Sequence, residues 1–154
     1  MVSVKSFLRM MAFSVFCFSM NANASQGEDA FHHNHVAAFL GATMHDSHFY
    51  PTVGADYEYF FNSKSGVVAL AELVFADHLE QIGGLGLAYH PIPSLKIAAL
   101  GGLEYADGHS AFLMRGNLEY GIHAGPLTIS PSFSVDYVSS EILYVFGATF
   151  GMGF

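Results

Sequence analysis

In the last stretch of the chain, residues 141–154, large apolar residues alternate with small ones. Few folds can accommodate this pattern. Every second residue, counted back from the end, is apolar and mostly large: Phe154, Met152, Phe150, Ala148, Phe146 and Tyr144. The positions between them are small or β-branched: Gly153, Gly151, Thr149, Gly147 and Val145. A period of two residues indicates a β-strand with two unlike faces. Because the glycine-rich face is too small for a solvated surface, we expect the large side chains to meet lipid and the small ones to face a narrow lumen.

The same stretch resembles the terminal strand of Gram-negative outer-membrane β-barrels, which ends on an aromatic residue preceded by apolar residues at alternate positions. The matching positions are Tyr144, Phe146, Phe150, Met152 and Phe154. In that family the pattern is read by the barrel-assembly machinery. The resemblance therefore implies this machinery as a partner during biogenesis, outer-membrane lipid as the surroundings, and the outer membrane as the location.

Residues 1–24 are predicted to be a cleavable secretory signal. Two basic residues are followed by an apolar run, 10–20, and by a small-residue cleavage site, Ala22–Ala24. The run is too short to cross a bilayer as a helix. Since the one cysteine, Cys17, lies inside this segment, we expect the exported chain to lack disulfides and thiolate metal sites.

The charge of the exported part argues against nucleic acid as a partner, and its hydropathy favours a membrane β-barrel. Two of the five basic residues, Lys5 and Arg9, belong to the signal, which leaves 5 − 2 = 3 against thirteen acidic residues. Such a chain repels polyanions, so nucleic acid is not an expected partner. The chain is 52% hydrophobic and 15% aromatic, but it has no apolar run after the signal long enough for a helical span. Hydrophobicity spread over alternate strand positions favours a membrane barrel.

The alternation predicts an all-β fold, an eight-stranded antiparallel up-and-down transmembrane β-barrel over residues 35–154, preceded by a flexible leader at 25–34. The strands are expected at 35–44, 50–61, 67–76, 80–89, 95–105, 111–122, 127–137 and 141–154. An even number of strands puts both chain ends on one side. Pro91 and Pro93 are expected to end the fourth strand, because proline cannot donate to a ladder. The architecture resembles the OmpA and OmpX type; a soluble barrel of lipocalin type would bury the large residues instead.

Aromatic residues are expected to form two girdles at the lipid headgroups. The rim away from the chain ends would hold Tyr50, Phe75, Tyr105, Phe112, Tyr137 and Tyr144. The rim beside the chain ends would hold Tyr59, Phe61, Tyr89, Tyr120 and Phe154.

The faces predicted to point inward carry most of the ionisable residues of the chain. They include six acids and two bases: Asp56, Glu58, Glu72, Glu104, Glu119, Asp136, Lys96 and Arg115. Eight strands enclose a lumen about wide enough for its own side chains, so we expect a polar plug and not a diffusion pore. Arg115 is expected to be the hub, since its guanidinium fork can engage more than one carboxylate, as in the interior networks of OmpA-type barrels. Two bases cannot neutralise six acids, so some acids should hold a proton or share water or a cation. A gated path for protons or ions is the alternative to a purely structural plug.

The predicted loops away from the chain ends contain imidazoles next to carboxylates. The histidines are His45, His48, His78 and His109, and the acids are Asp46, Asp77, Asp107 and Glu141. Loops at one end of a narrow barrel are neighbours, so a nitrogen and oxygen metal site is an alternative function, although no spacing among them is diagnostic. The histidines near the leader, His32, His33 and His35, belong to the other end and are expected to be a solvated tract. No cofactor is predicted.

An outer-membrane enzyme acting on lipid is the remaining alternative, because barrels of that class use a serine and a histidine near the rim. The candidates are His109 with Ser110, His48, and Ser139 or Ser140 beside Glu141. Adjacent strand residues point to opposite faces, so His109 can activate Ser110 only if the loop bends. No local motif matches those enzyme families. The sequence therefore favours a structural or surface-interaction role without turnover.

Overall fold

The computed structural model describes residues 32–154, so the predicted signal at 1–24 and most of the predicted leader lie outside the described residues. Strands occupy almost all of this part of the chain: β1 (Asn34–His45), β2 (His48–Asn62), β3 (Ser65–Phe75), β4 (Leu79–Ile92), β5 (Leu95–Ala106), β6 (His109–Tyr120), β7 (Ile122–Ala124), β8 (Leu127–Val138) and β9 (Glu141–Gly153). Within residues 32–154 no helix is long and apolar enough to span a membrane.

The strands form one closed antiparallel ring. Consecutive strands pair along the chain, β9 returns to pair with β1, and β6 pairs with β8. Segments β6 and β7 are two parts of a single barrel strand, because both pair with β8 on either side of Gly121. The backbone N–H of Gly121 turns away from β8 and donates to the carbonyl oxygen of Ser94 at 2.6 Å. The predicted fold, an eight-stranded antiparallel barrel, is confirmed.

Alternate side chains point outward and inward, and the outward ones are the apolar ones. On β9, Phe146 is 42% exposed and Phe150 39%, whereas Val145 between them is 2% exposed. The exposed set of large hydrophobic residues includes members of every full-length strand, while Glu58, Glu72 and Arg115 are buried. The distribution is the reverse of a water-soluble protein, which buries most of its large apolar side chains and leaves most of its charged ones in solvent.

Aromatic side chains are exposed at both rims of the wall, with one exception to the expected set. Phe75, Tyr105 and Phe112 are exposed at one rim, and Phe61 and Tyr89 at the other. Tyr50 instead points into the lumen, where it packs against a buried apolar cluster. The outward ring at that place is the preceding residue, Phe49, which is exposed. The prediction that Tyr50 belongs to the outer girdle was wrong. The girdle position is one residue earlier, and neighbouring residues of a strand point to opposite faces.

The connections between barrel strands are two or three residues long at both ends of the barrel. We call the end that holds Asn34 and Gly153 the terminal end and the other the far end. Three of the four far-end hairpins have two-residue turns in which both residues have positive φ, namely Asp46-Ser47, Asp107-Gly108 and Ser139-Ser140. Positive φ at both central positions is the signature of type I′ turns, whose twist matches that of the strands they join.

The structure extends the predicted β4 and orders the end of the predicted leader. β4 continues through Pro91 to Ile92, with irregular pairing to β5 between Tyr89 and Ile92. Proline is tolerated there because a bulge leaves backbone groups unpaired in any case. His33 is tied to β2, since its carbonyl oxygen accepts a hydrogen bond from the backbone N–H of Phe60 at 2.8 Å.

Glycines on the inner face make room for large lumen side chains. A Cβ on Gly147 would lie 2.5 Å from the Phe39 ring, and a Cβ on Gly54 would lie 2.6 Å from Cγ of Glu72. The Phe39 ring and the Glu72 side chain therefore occupy the space that a larger residue at Gly147 or Gly54 would need. The small inward residues of β9 leave the space that the Phe39 side chain fills.

Candidate functional site in the barrel lumen

Arg115 on β6 binds two buried carboxylates from different strands. Its Nε and Nη2 donate to Oδ1 and Oδ2 of Asp136 at 2.6 and 2.7 Å, and its Nη1 donates to Oε1 of Glu72 at 2.6 Å. Asp136 faces Arg115 directly across the β6–β8 pairing, whereas Glu72 reaches from β3 across the lumen. All three side chains are buried. A two-pronged bond to one carboxylate and a single bond to another fix the guanidinium plane.

Lys96 is the centre of a second ionic group nearer the terminal end. Its Nζ lies 2.9 Å from Oε1 of Glu119 and 3.9 Å from Oε2 of Glu58. The other oxygen of Glu58 pairs with Nε2 of His90 at 2.8 Å. Thr149 contributes a hydroxyl that donates to Glu119 at 3.4 Å. Six of the eight predicted inward residues thus form two ionic groups at different depths of the barrel, one around Arg115 and one around Lys96.

Two of the predicted acids belong to neither group. Asp56 and Glu104 have no hydrogen bond or ion pair with any residue in the described part of the chain, and each has one fully enclosed oxygen without a donor. Glu72 also has one such oxygen, Oε2, because Arg115 takes only Oε1. Enclosed carboxylate oxygens without a donor are unusual in native proteins.

The lumen is less polar than the sequence predicted, because two apolar clusters share it with the ionic groups. One lies toward the far end and comprises Val74, Ile82, Leu113, Val138 and Leu143. The other lines the wall formed by β3, β4 and β5 and comprises Val68, Ala88, Ala98 and Leu100. The Arg115 group therefore has an apolar layer between itself and the far end. This layer separates the ion pairs from water on the far-end side, and a less polar environment strengthens them.

A cavity of about 190 Å³ opens at the terminal end and contains histidines whose role the sequence did not suggest. His35, His90 and His123 line it together with Glu58 and Lys96. His90 was not predicted because the fourth strand was expected to stop before Pro91. Continuing the alternation two residues past Ala88 would have placed His90 inside the barrel. His35 belongs to β1 and faces this cavity, so it is not part of a solvated leader.

The predicted far-end histidines do not converge. Nε2 of His45 lies 2.9 Å from Glu141 and 3.7 Å from Asp46, whereas Nδ1 of His78 lies 3.3 Å from Asp107. His48 binds a backbone oxygen, that of Asp46, at 3.0 Å. His109 begins β6 and is exposed. In residues 32–154 no group of three or more His, Cys, Asp or Glu side chains has a geometry that could hold a metal ion.

The serines considered for catalysis lie in or beside far-end turns. Ser139 and Ser140 form the β8–β9 turn, and Ser110 pairs with Tyr105 across the β5–β6 hairpin. Across the described chain, none of these three hydroxyls is hydrogen-bonded to a histidine or a carboxylate. A serine nucleophile needs such a base within hydrogen-bond reach.

Comparisons with known proteins identify solved structures that have the same fold. No family model matches the chain, and no curated protein matches its sequence. Among solved structures, Neisserial surface protein A is 10% identical with a TM-score of 0.58, covering 79% of this chain and 96% of its own. The attachment invasion locus protein of Yersinia pestis, Ail, is 12% identical with a TM-score of 0.56 and the same two coverages.

Two further structures extend the comparison to a domain of a larger protein and to a designed one. The N-terminal β-barrel domain of Pseudomonas aeruginosa OprF is 13% identical with a TM-score of 0.56, covering 80% of this chain and all of that domain. A de novo designed transmembrane β-barrel is 14% identical with a TM-score of 0.56, covering 82% of this chain. At these identities the likeness concerns the fold. The chain has the architecture of small eight-stranded transmembrane barrels, in agreement with the resemblance noted in the sequence.

Proposed function

We propose that this chain is a small integral outer-membrane β-barrel, exported through a cleaved signal at 1–24, with a structural role that involves no turnover. The observation that carries the proposal is the outward placement of large apolar side chains on the whole circumference, while six charged side chains are buried inside the barrel. Such a wall is stable in hydrocarbon, and the closed ring has no sheet edge that lipid would have to satisfy.

The short connections favour a structural role over recognition through loops. Every connection between barrel strands is two or three residues long, and three far-end turns are tight type I′ hairpins. Loops of this length cannot fold into a pocket or a protruding surface. Any contact with another molecule would have to use the rims or the lipid-facing wall.

The filled lumen argues against a role in solute passage. The Arg115 group, the apolar far-end cluster and the Phe39 ring occupy the interior, and the cavity between the two ionic groups measures about 30 Å³. A space of that size holds water molecules or a small ion and no nutrient-sized solute.

The decisive experiment compares two variants that each place one arginine on the outer face of β4, at different depths in the membrane. Leu85 lies halfway along β4 and Leu79 at its far-end start, and both side chains are exposed on the outer face. In lipid vesicles, Leu85→Arg should lower the free energy of unfolding by about 2–4 kcal/mol, and Leu79→Arg by about 0–1 kcal/mol. The two variants share the strand, the face and the substitution, so only depth differs.

A water-soluble barrel would behave in the opposite way. Replacing an exposed leucine by arginine would then leave stability unchanged at both positions, and the protein would stay folded and monomeric without detergent. Either result would end the membrane proposal. Expression of the full chain in a Gram-negative host should also give an outer-membrane protein whose first residue is Ser25, which migrates differently on gels before and after heating.

We also propose that the barrel-assembly machinery recognises the closing strand through Tyr144, Phe146, Phe150, Met152 and Phe154. Support comes from the outward position of these side chains, all of which are exposed on the wall or just beyond its edge. A surface that is lipid-facing in the folded barrel is available for recognition before the barrel closes.

A further inference from the structure

The cavity between the two ionic groups, which we call the central cavity, has an unusual lining. It measures about 30 Å³, and its walls include Asp56, Glu72, Lys96 and Arg115. Ser132 and Ser134 on β8 add hydroxyl oxygens to the lining. The volume exceeds the roughly 10–15 Å³ that one water molecule requires.

Two carboxylate oxygens of the central cavity have no donor. Oε2 of Glu72 and Oδ1 of Asp56 are enclosed and without a hydrogen-bond partner among residues 32–154. The Glu72 side chain is 6% exposed, so bulk water does not solvate it. Glu72 lies over Gly54, and Asp56 is the next inward residue of β2, so the two carboxylates are diagonal neighbours on adjacent strands. Diagonal pairs are within reach of long side chains.

The cations of the lumen make their short contacts with other carboxylates, and Lys96 attracts Asp56 without forming an ion pair with it. Arg115 uses three donors on Asp136 and on Oε1 of Glu72. Lys96 is in contact with Glu119 at 2.9 Å and is 3.9 Å from Glu58. Neither bonds to Asp56.

The charges around the central cavity do not balance when all carboxylates are ionised. Arg115 with Glu72 and Asp136 sums to −1, and Lys96 with Glu58, Glu119 and a neutral His90 also sums to −1. Asp56 adds a further −1. An uncompensated negative charge in a confined low-dielectric space is costly, and a bound cation would offset it.

We propose that the central cavity binds a monovalent metal cation of the size of Na⁺ between Asp56 and Glu72. The two donorless oxygens supply the anionic ligands. Neutral ligands come from water or from the hydroxyl oxygens of Ser132 and Ser134, which also accept hydrogen bonds from Nδ2 of Asn117 at 3.3 and 3.0 Å. A divalent ion is disfavoured, because Ca²⁺ takes six to eight oxygen ligands and Mg²⁺ demands a near-ideal octahedron. Lys96 and Glu119 line both the central cavity and the terminal-end cavity, so the ion would enter from the terminal end past this pair.

The test compares thermal unfolding of the detergent-folded barrel in sodium chloride and in choline chloride at equal pH and ionic strength. Choline is too large for the cavity, so only Na⁺ can stabilise the folded state by binding. We expect the midpoint to be higher in 300 mM Na⁺ by about 5 °C or more, and to rise with the logarithm of Na⁺ concentration. Asp56→Asn should abolish this difference, because it keeps the shape and removes the charge.

The matched control is Asp46→Asn, which removes an exposed carboxylate from a far-end turn and should keep the full Na⁺ effect. Glu72→Gln is the second variant and should also remove the effect, so the test does not depend on one substitution folding. Equal midpoints of the unchanged protein in the two salts would mean that the cavity holds only water or a proton, and would overturn the proposal. A Na⁺ effect that persists in both lumen variants would overturn it too.

Discussion

Removing the Arg115 guanidinium tests whether the lumen holds the barrel together. The side chain makes three charged hydrogen bonds of 2.6 to 2.7 Å, and its partners Glu72 and Asp136 are both buried. Bonds to charged groups are worth about 1.5–3 kcal/mol each, which bounds the sum at about 4.5–9 kcal/mol. Relaxation and proton uptake by the abandoned carboxylates reduce the loss, and broken buried pairs usually cost about 3–5 kcal/mol. We therefore expect Arg115→Met to lower the free energy of unfolding by about 4 kcal/mol.

A neutral version of the same site separates charge from packing. Replacing all three residues, Arg115→Met with Glu72→Met and Asp136→Leu, leaves no buried charge and should restore stability to within about 1 kcal/mol or exceed it. Lys64→Met removes an exposed cation from the β2–β3 turn and should change stability by less than about 0.5 kcal/mol.

The assay is equilibrium unfolding in urea with the protein in lipid vesicles. The chain has no tryptophan, so the folded fraction is followed by far-ultraviolet circular dichroism and by band position on unheated gels. A loss below about 1 kcal/mol for Arg115→Met would refute the hub role, since it would mean that Glu72 and Asp136 are satisfied without the guanidinium.

Three further substitutions test other parts of the structure. Gly147→Val should lower the free energy of unfolding by about 1–3 kcal/mol, because a Cβ there lies 2.5 Å from backbone and from an aromatic ring. The control is Gly116→Val, where a Cβ has no neighbour within 4 Å, and this variant should be nearly neutral. Equal losses for the two variants in urea unfolding would contradict the prediction. Removing Phe154 should lower outer-membrane levels in cells while leaving folding into detergent unchanged, and equal levels in cells would argue against recognition of the closing strand. His90→Ala should lower the free energy of unfolding by about 1–3 kcal/mol, because it removes the partner that lies 2.8 Å from the buried Glu58. An unchanged free energy of unfolding in urea would show that His90 does not stabilise the barrel.

The ring of strands could be predicted from the sequence because the two features that define it, alternation along each strand and the turn residues between strands, are local. Alternation fixes which side chains face lipid, and paired turn residues such as Asp107-Gly108 fix where hairpins close. Even so, Tyr50 was assigned to the wrong face, because the two neighbouring rings, Phe49 and Tyr50, both fit a girdle. Only the pairing of Thr43 with Tyr50 in the β1–β2 register settles which one turns inward.

The partners inside the lumen depend on information that one strand does not carry. Arg115 and Asp136 are register partners, but Glu72 comes from β3, and its height relative to β6 depends on the stagger of the intervening strands. The pairing of His90 with Glu58 likewise requires β4 to continue through Pro91. The far-end apolar cluster was missed because its five members are single inward residues scattered over five strands.

Ring closure has a consequence for the order of events during synthesis. β1, the first strand of the barrel, pairs along one edge with β2 and along the other edge with β9, the last of the described strands. No shorter fragment can therefore complete its backbone pairing in hydrocarbon, where a lone edge is intolerable. On the proposed route through export, the chain must stay unfolded until β9 has crossed the inner membrane, and we expect premature termination anywhere before β9 to yield a degradable product instead of a smaller barrel.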